Sequence, residues 1–265
     1  MQCSERRKRT ADHSSTGIHR LAKAADIGNR ILSVLTIMVM TVGCLYCFYC
    51  LFDDWRQSQA GLSSSMAQFK PDAEDPLSFD ELLKINPDVI AWLTIDKTRI
   101  DQAVVQGKDD LEYINKGADG KPSLSGAIFL SSLNKPDFSD PYNILYGHHM
   151  DNGGMFGDVM EFLDKKYFGG HKTGSLLTKE FTEYKLEVFA VMETDTMDPD
   201  VYSMALVSGG DTSALIDMLR SKARYFREPG EKSPKVFALS TCNSSQTDGR
   251  TILYAWVTKV VEHEK

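Results

Sequence analysis

Val236-Phe237-Ala238-Leu239-Ser240-Thr241-Cys242 is an apolar run that ends in two hydroxyls and a thiol. Across a turn of Asn, Ser, Gln, Thr, Asp and Gly it is followed by Arg250-Thr251-Ile252-Leu253-Tyr254-Ala255-Trp256-Val257. β-Branched and aromatic residues bounded by turn formers read as strands. The first run is therefore a buried strand over Val236–Thr241 with Cys242 at its end, and the second is a returning strand over Thr251–Val261. A hairpin between them brings Arg250, eight residues after Cys242, back beside it. Reactive groups are commonly held at such strand ends, rigid behind and open to solvent in front.

Working outward, the same composition predicts strands at Ile90–Ile95, Gln102–Gln106, Ala127–Leu130, Asn143–Tyr146 and Lys185–Glu193. Order should begin near Pro76, where Ser78 and Glu81 have capping-box spacing for a helix that Asn86-Pro87 stops. Two further helices are expected, Met155–Leu163 and Asp211–Phe226. In the second, Leu215, Met218, Leu219, Lys222, Tyr225 and Phe226 form one face at helical spacing. Many short strands and few helices predict a mainly β fold with helices (α+β), closed into a barrel, rather than a βαβ fold. The roughly 190 residues from Pro76 onward suffice for one domain with a substantial core.

The N-terminal region sets the compartment. Ile31 to Phe52 are 22 positions without a charge. As a helix they extend roughly 33 Å, enough to cross a hydrocarbon core of about 30 Å. Residues 1–30 carry seven Lys/Arg against three Asp/Glu, and Asp53-Asp54 follow the apolar run. The positive-inside rule then predicts a cytoplasmic basic tail at 1–30, a transmembrane anchor at 31–52, and residues 53–265 outside the cell membrane. Ser58-Gln59-Ala60 offers a cleavage-like site, but the apolar run exceeds the usual 7–15 residues of a secretory signal. Gly61-Leu62-Ser63-Ser64-Ser65 and Pro71 predict a flexible stalk over 53–75, ahead of a domain at 76–265.

The outer region holds 23 of the 30 Lys/Arg and 34 of the 37 Asp/Glu, a formal charge of −11. Such a charge argues against nucleic acid as a partner. Of five cysteines, Cys44, Cys47 and Cys50 lie in the apolar span, where free thiols act as small packing groups. Cys242 is the one cysteine beyond residue 50, so an intrachain disulfide in the outer region is excluded. An unpaired thiol in an oxidising compartment is a liability unless it is used.

A use is available. Tyr146-Gly147-His148-His149 ends another predicted strand, and Gly147 lets the chain turn sharply. A thiol, an imidazole and a guanidinium can together attack a carbonyl, move a proton and hold an oxyanion. The outer region offers no Cys or Glu at ligand spacing around the His pair, so neither a metal nor another cofactor is expected.

From about Leu77 onward the chain resembles the class B sortases. Leu239-Ser240-Thr241-Cys242 matches that family's nucleophile strand, Tyr146-Gly147-His148 its histidine motif, and Arg250 its arginine at the opening of the last strand. Val104-Val105-Gln106-Gly107, Gly153-Gly154-Met155-Phe156-Gly157 and Trp92 agree further. The helix at Asp211–Phe226 resembles the long helix in the loop before the cysteine strand. Asn243 and Asp101-Gln102-Ala103 depart from the family pattern.

The resemblance implies a sortase-like barrel with an N-terminal helix and a membrane-anchored cysteine transpeptidase of Gram-positive surfaces. Such an enzyme cleaves a C-terminal sorting motif of secreted proteins, holds the acyl part as a thioester, and passes it to an amine, in class B usually that of the peptidoglycan cross-bridge. It implies Cys242 as nucleophile, His148 as general acid and base, and Arg250 as oxyanion donor, with Ser240, Thr241 and Asn243 contacting substrate. The competing readings are a pilin-polymerising sortase with a lysine acceptor, a peptidase that uses water, and a surface binding domain in which Cys242 is inert.

Overall fold

The computed structural model describes residues 2–62, 66–72, 74–75, 78–196, 198–202, 207, 209–242 and 249–263, with the backbone alone at 2–21, 54, 56–62, 78 and 242. The chain divides into two units, Met1–Trp55 and Arg56–Lys265. The first is carried by helix α1 (Gln2–Leu62). Its stretch Ala22–Asp53, with mean hydropathy 2.3, is long and apolar enough to cross a membrane, and none of it is buried in protein.

In the second unit a mixed sheet closes on itself. Its strands are β1 (Val89–Ile95), β2 (Asp101–Val105), β3 (Ile128–Leu130), β4 (Tyr142–Tyr146), β5 (Thr173–Thr178), β6 (Thr182–Asp195), β7 (Tyr225–Phe226), β8 (Val236–Cys242) and β9 (Gly249–Glu262). Their order is β5-β1-β2-β3-β4-β8-β9-β6-β7, and β5 also pairs with β6. That last pairing makes an eight-stranded barrel with β7 on its edge. All the neighbours are antiparallel except β2–β3 and β4–β8. The α+β barrel expected of a sortase-like domain is thus what the chain forms.

Helices cover the outside of the barrel. α2 (Ser78–Ile85) sets Phe79 and Leu82 against Trp92 and Phe181. Met66 is buried in the same cluster, beside the short 3-10 turn Ala67–Phe69. α3 (Lys165–Gly170) is capped by Asp164, whose carboxylate accepts from the Lys166 and Tyr167 amides. α4 (Pro199–Tyr202) and α5 (Ser213–Lys222) lie between β6 and β8, and α5 buries Leu215, Ile216, Met218 and Leu219. These pack over Val236, Ala238, Ile252 and Tyr254 on the outer face of the β8–β9 pair. Phe237, Leu239, Leu253 and Ala255 fill the barrel interior. Since β8 is buried on both faces, its sequence is a continuous apolar run rather than an alternation.

Several elements differ from the sequence expectation: α3 and α4 were not expected, and α1 runs to Leu62 through the first part of the stretch expected as a flexible stalk. The helix expected over Asp211–Phe226 stops at Lys222, where Ala223 turns extended, and Tyr225-Phe226 become β7 against Val191 and Ala190. The helical spacing continues to Phe226, but β5 covers β6 only over Glu183–Glu187. The edge beyond it is open, and Arg224 and Arg227 donate their amides to the Val191 and Phe189 carbonyls there. Satisfying a sheet edge outweighs helix propensity at this point. Met155–Leu163 is a 3-10 segment from Gly157 to Leu163. The barrel-closing β5 contains Gly174 and Ser175, which hide it from a propensity-based reading.

A carboxylate ties the approach segment to the barrel. Asp101 accepts from Trp92 Nε1 (2.7 Å) and Thr94 Oγ1 (2.8 Å) and pairs with Lys70 (2.7 Å). Burial alone would raise its pKa, but the hydrogen bonds from Lys70, Trp92 and Thr94 outweigh it and hold the value below 3.8. A lowered folded-state pKa stabilises the fold above the ordinary carboxylate value, and that stabilisation disappears as pH falls through the folded one. Asp101→Asn is expected to cost about 1–2 kcal/mol at neutral pH. Chemical denaturation at roughly pH 7 and pH 3 should show the gap to the wild type closing in acid.

Candidate active site

The site grows out of backbone register. β8 runs parallel to β4, with Tyr142 opposite Val236 and so on to Tyr146 opposite Ser240. The Gly147 amide extends this ladder by donating to the Ser240 carbonyl (3.2 Å). His148 follows two residues past Tyr146, and Cys242 two past Ser240, so both come at the same end of the β4–β8 pair. On the other side β9 runs antiparallel, and Cys242 pairs directly with Arg250. The three sequence-predicted catalytic residues thus converge through two strand pairings. Asn243 lies outside the described residues.

At this end a cleft of about 500 Å³ opens, lined chiefly by apolar surface, with Tyr146, His148, Tyr202, Ser240, Thr241 and Arg250 among its walls. Tyr146 stacks on Tyr202 (6.3 Å, 18°) and tilts against Phe129 (5.4 Å). The Tyr202 hydroxyl and Ser240 Oγ lie 2.9 Å apart in a hydrogen bond. Ser240 and Thr241 are almost fully buried, and Thr241 Oγ1 has no hydrogen-bond partner among the described residues. Burial, followed by the charge of Asp110, pushes the Tyr146 phenol far above its ordinary pKa. It remains a neutral hydrogen-bond donor at any working pH.

His148 Nε2 is 2.8 Å from the Ile114 carbonyl oxygen. A carbonyl only accepts, so Nε2 carries the proton and, in the neutral ring, Nδ1 is left as the basic nitrogen. His149 does not line the cleft; its Nε2 lies 3.2 Å from Asp151 Oδ1. The Arg250 guanidinium donates to the Gly249 carbonyl (3.0 Å) and forms no ion pair among the described residues. No group of three or more metal-ligating side chains occurs among the described residues.

No family model matches the chain. Sortase B of Listeria monocytogenes is 39% identical over 116 residues, 44% of this chain and 47% of that protein, so the match spans about half its length. A class B sortase of Streptococcus pyogenes involved in pilus biogenesis has 39% identity and a TM-score of 0.61, over 68% of this chain and 97% of the other. The chain belongs to the class B sortases. Sortase B from the type II pilus of Streptococcus pneumoniae is similar at 36% identity and a TM-score of 0.58, over 68% of this chain and 98% of its own.

Part of this sortase's cleft was not legible from motifs. Asp110, Leu111 and Ile114 come from the loop after β2, Thr196 from the end of β6 and Tyr202 from α4. The loop after β2 is fixed from behind: Tyr113 is buried, donates to Asp88 Oδ2 (2.7 Å) and accepts from Asn86 Nδ2 (2.9 Å). Gly126 lets it approach the site. At φ +60°, a Cβ there would stand 2.5 Å from the Ile114 carbonyl oxygen and 3.0 Å from the His148 ring. Gly147 has a similar duty, since a Cβ on it would meet the buried Phe156 ring at 2.7 Å. Gly126→Ala should therefore displace the carbonyl that orients His148. Its expected effects are a stability loss of about 1–3 kcal/mol and a drop in activity beyond what unfolding explains. Thermal denaturation alongside initial rates separates the two.

Proposed function

We propose that this protein is a membrane-anchored cysteine transpeptidase that cleaves a C-terminal sorting motif and transfers the acyl group to a primary amine. The observation that carries this reading is the register at the end of β8, with Cys242 opposite Arg250 at the end of the β4–β8 pair where His148 enters the same cleft as Arg250. Cys242 attacks the scissile carbonyl as a thiolate, forming the C–S bond, and Arg250 meets the oxyanion with charged N–H donors. Collapse breaks the C–N bond, and His148 gives its proton to the leaving amine. The thioester remains on Cys242. An incoming amine then attacks it, His148 takes the proton, and the thiolate leaves.

The Ile114 carbonyl supports His148 in this role by holding Nε2–H and leaving Nδ1 to exchange protons. Ser240 and Thr241 line the cleft, where the sorting motif would lie, and Asn243 follows the nucleophile in sequence as a further substrate contact. The apolar stretch of α1 holds enzyme and substrate in one membrane, which raises their effective concentration. The excess of basic residues before it puts the N-terminus in the cytoplasm and the barrel outside. The catalytic domain lies within the unit Arg56–Lys265, whose packing begins at Met66 and Lys70, ahead of the start expected near residue 76.

For the acceptor, the peptidoglycan cross-bridge amine is the first reading. A second, assembly of pili through a lysine acceptor, is favoured by the two pilus sortases that match at 39% and 36% identity over nearly their whole length.

The test is the full chain in detergent, incubated with a library of sorting-motif peptides and either a glycine peptide or a lysine amide, with products read by mass spectrometry. Amine-linked product that vanishes in Cys242→Ala supports transpeptidation, and the preferred amine names the acceptor. Hydrolysis that added amines do not alter would leave a peptidase. No cleavage, with Cys242 inert to an alkylator in the folded state, would leave a binding domain. His148→Ala should lower kcat by roughly 10²–10⁴, and Arg250→Ala by roughly 10²–10³. Nitrogen-15 NMR of the neutral His148 ring is expected to show the Nε2–H tautomer.

A further inference from the structure

Asp110 is the one carboxylate among the residues lining the cleft that also holds His148 and Arg250. It is half-buried and rigidly held: Oδ1 accepts from the Ser132 amide (2.6 Å) and Oδ2 from Ser131 Oγ (3.2 Å). Its neighbour Asp109 braces the turn by accepting from the Leu111 and Glu112 amides. No Lys or Arg among the described residues pairs with Asp110. A carboxylate has about four acceptor sites, so those two hydrogen bonds leave capacity facing the cleft. Beside it Leu111, 73% exposed, gives the same cleft an apolar surface on which methylenes can lie.

The charges of the cleft are thus split, a guanidinium at the end of the β8–β9 pair and a carboxylate on the loop after β2. An oxyanion needs the first. The second substrate of a transpeptidation needs the second, because a primary amine, with a pKa near 10.4 on a lysine side chain and near 8 at a peptide N-terminus, reaches the enzyme at neutral pH chiefly as an ammonium ion. We propose that Asp110 is a specificity determinant that binds the ammonium of the acceptor before His148 deprotonates it. This rests on the transpeptidase reading above and names the second substrate as a primary alkylammonium, from a lysine or from a cross-bridge.

The step balances. The acyl thioester on Cys242 and R–NH3⁺ give the amide, the free thiol and one proton, which His148 carries away. The C–S bond breaks as the C–N bond forms, and the nitrogen's second proton goes to the departing thiolate.

The experiment compares two acceptors within one reaction. The full chain in detergent cleaves a sorting peptide in the presence of hydroxylamine, uncharged at neutral pH, and either Nα-acetyl-lysine methylamide or triglycine. Mass spectrometry gives the ratio of amine adduct to hydroxamate. In Asp110→Asn that ratio is expected to fall on the order of tenfold, the effect of losing a charged hydrogen-bond partner. Asp110→Glu should keep most of it. Added salt should lower the ratio in the wild type and barely move it in Asp110→Asn. Whichever amine gives the larger wild-type ratio identifies the source.

A structural role, or recognition of a cation on the sorting peptide itself, would lower both products together and leave the ratio unchanged, which overturns the proposal. Absence of any amine adduct or hydroxamate in the wild type would instead overturn the transpeptidase reading, and this inference with it.

Discussion

Everything at the site hangs on the register of β8 between a parallel neighbour and an antiparallel one. From Val236 to Thr241 no residue of this strand is more than 2% exposed. A one-residue slip would exchange the side chains packed inside the barrel with those under α5, which burial on both faces strongly penalises. The same constraint fixes Arg250 as the partner of Cys242 on β9. The geometry of the proposed site is here a by-product of core packing. Residues distant in sequence are brought together because the strands carrying them have no other buried arrangement.

Inside the cleft the apolar and aromatic walls do electrostatic work. Phe129, Tyr146 and Tyr202 displace water from one side of the space that His148 and Arg250 face. Charge interactions strengthen as the effective dielectric falls. Tyr146 shows this: burial together with the nearby Asp110 carboxylate suppresses its ionisation, against the opposing charge of Arg250. One phenol senses both ends of the cleft's polarity. An oxyanion formed near Arg250 would meet a fixed charge that needs no reorganisation.

What the sequence disclosed follows a physical division. β8 and β9 were readable because both faces of β8 are buried and β9 is rich in aromatic and β-branched residues. Cys242 and Arg250 were readable as neighbours because a hairpin is a local structure. His148 could be placed at a strand end, but not beside Cys242, because the parallel β4–β8 pairing joins segments about 90 residues apart. β5 and β7 were invisible for a related reason: each exists to cover an edge of β6, a tertiary demand without a local signature. Asp110, Ile114 and Tyr202 belong to that class too. Only the folded loop after β2, held by Tyr113 and Asn86, carries the first two to the cleft.

The inner face of the hairpin makes the cost of the site visible. Along it the cross-strand pairs run Phe237 with Ala255, then Leu239 with Leu253, then Thr241 with Thr251. The first two pairs are pure core. The third is as deeply buried, yet neither threonine hydroxyl has a hydrogen-bond partner among the described residues. A buried hydroxyl left unsatisfied costs about 1–3 kcal/mol, and valine would fill the same space without it. A hairpin selected for stability alone would continue apolar to its end. The change to polar side chains comes one residue before Cys242 and one after Arg250, where the barrel gives way to the cleft. Local rules of core packing are broken at the level of the proposed chemistry, as expected where function and stability compete for the same residues.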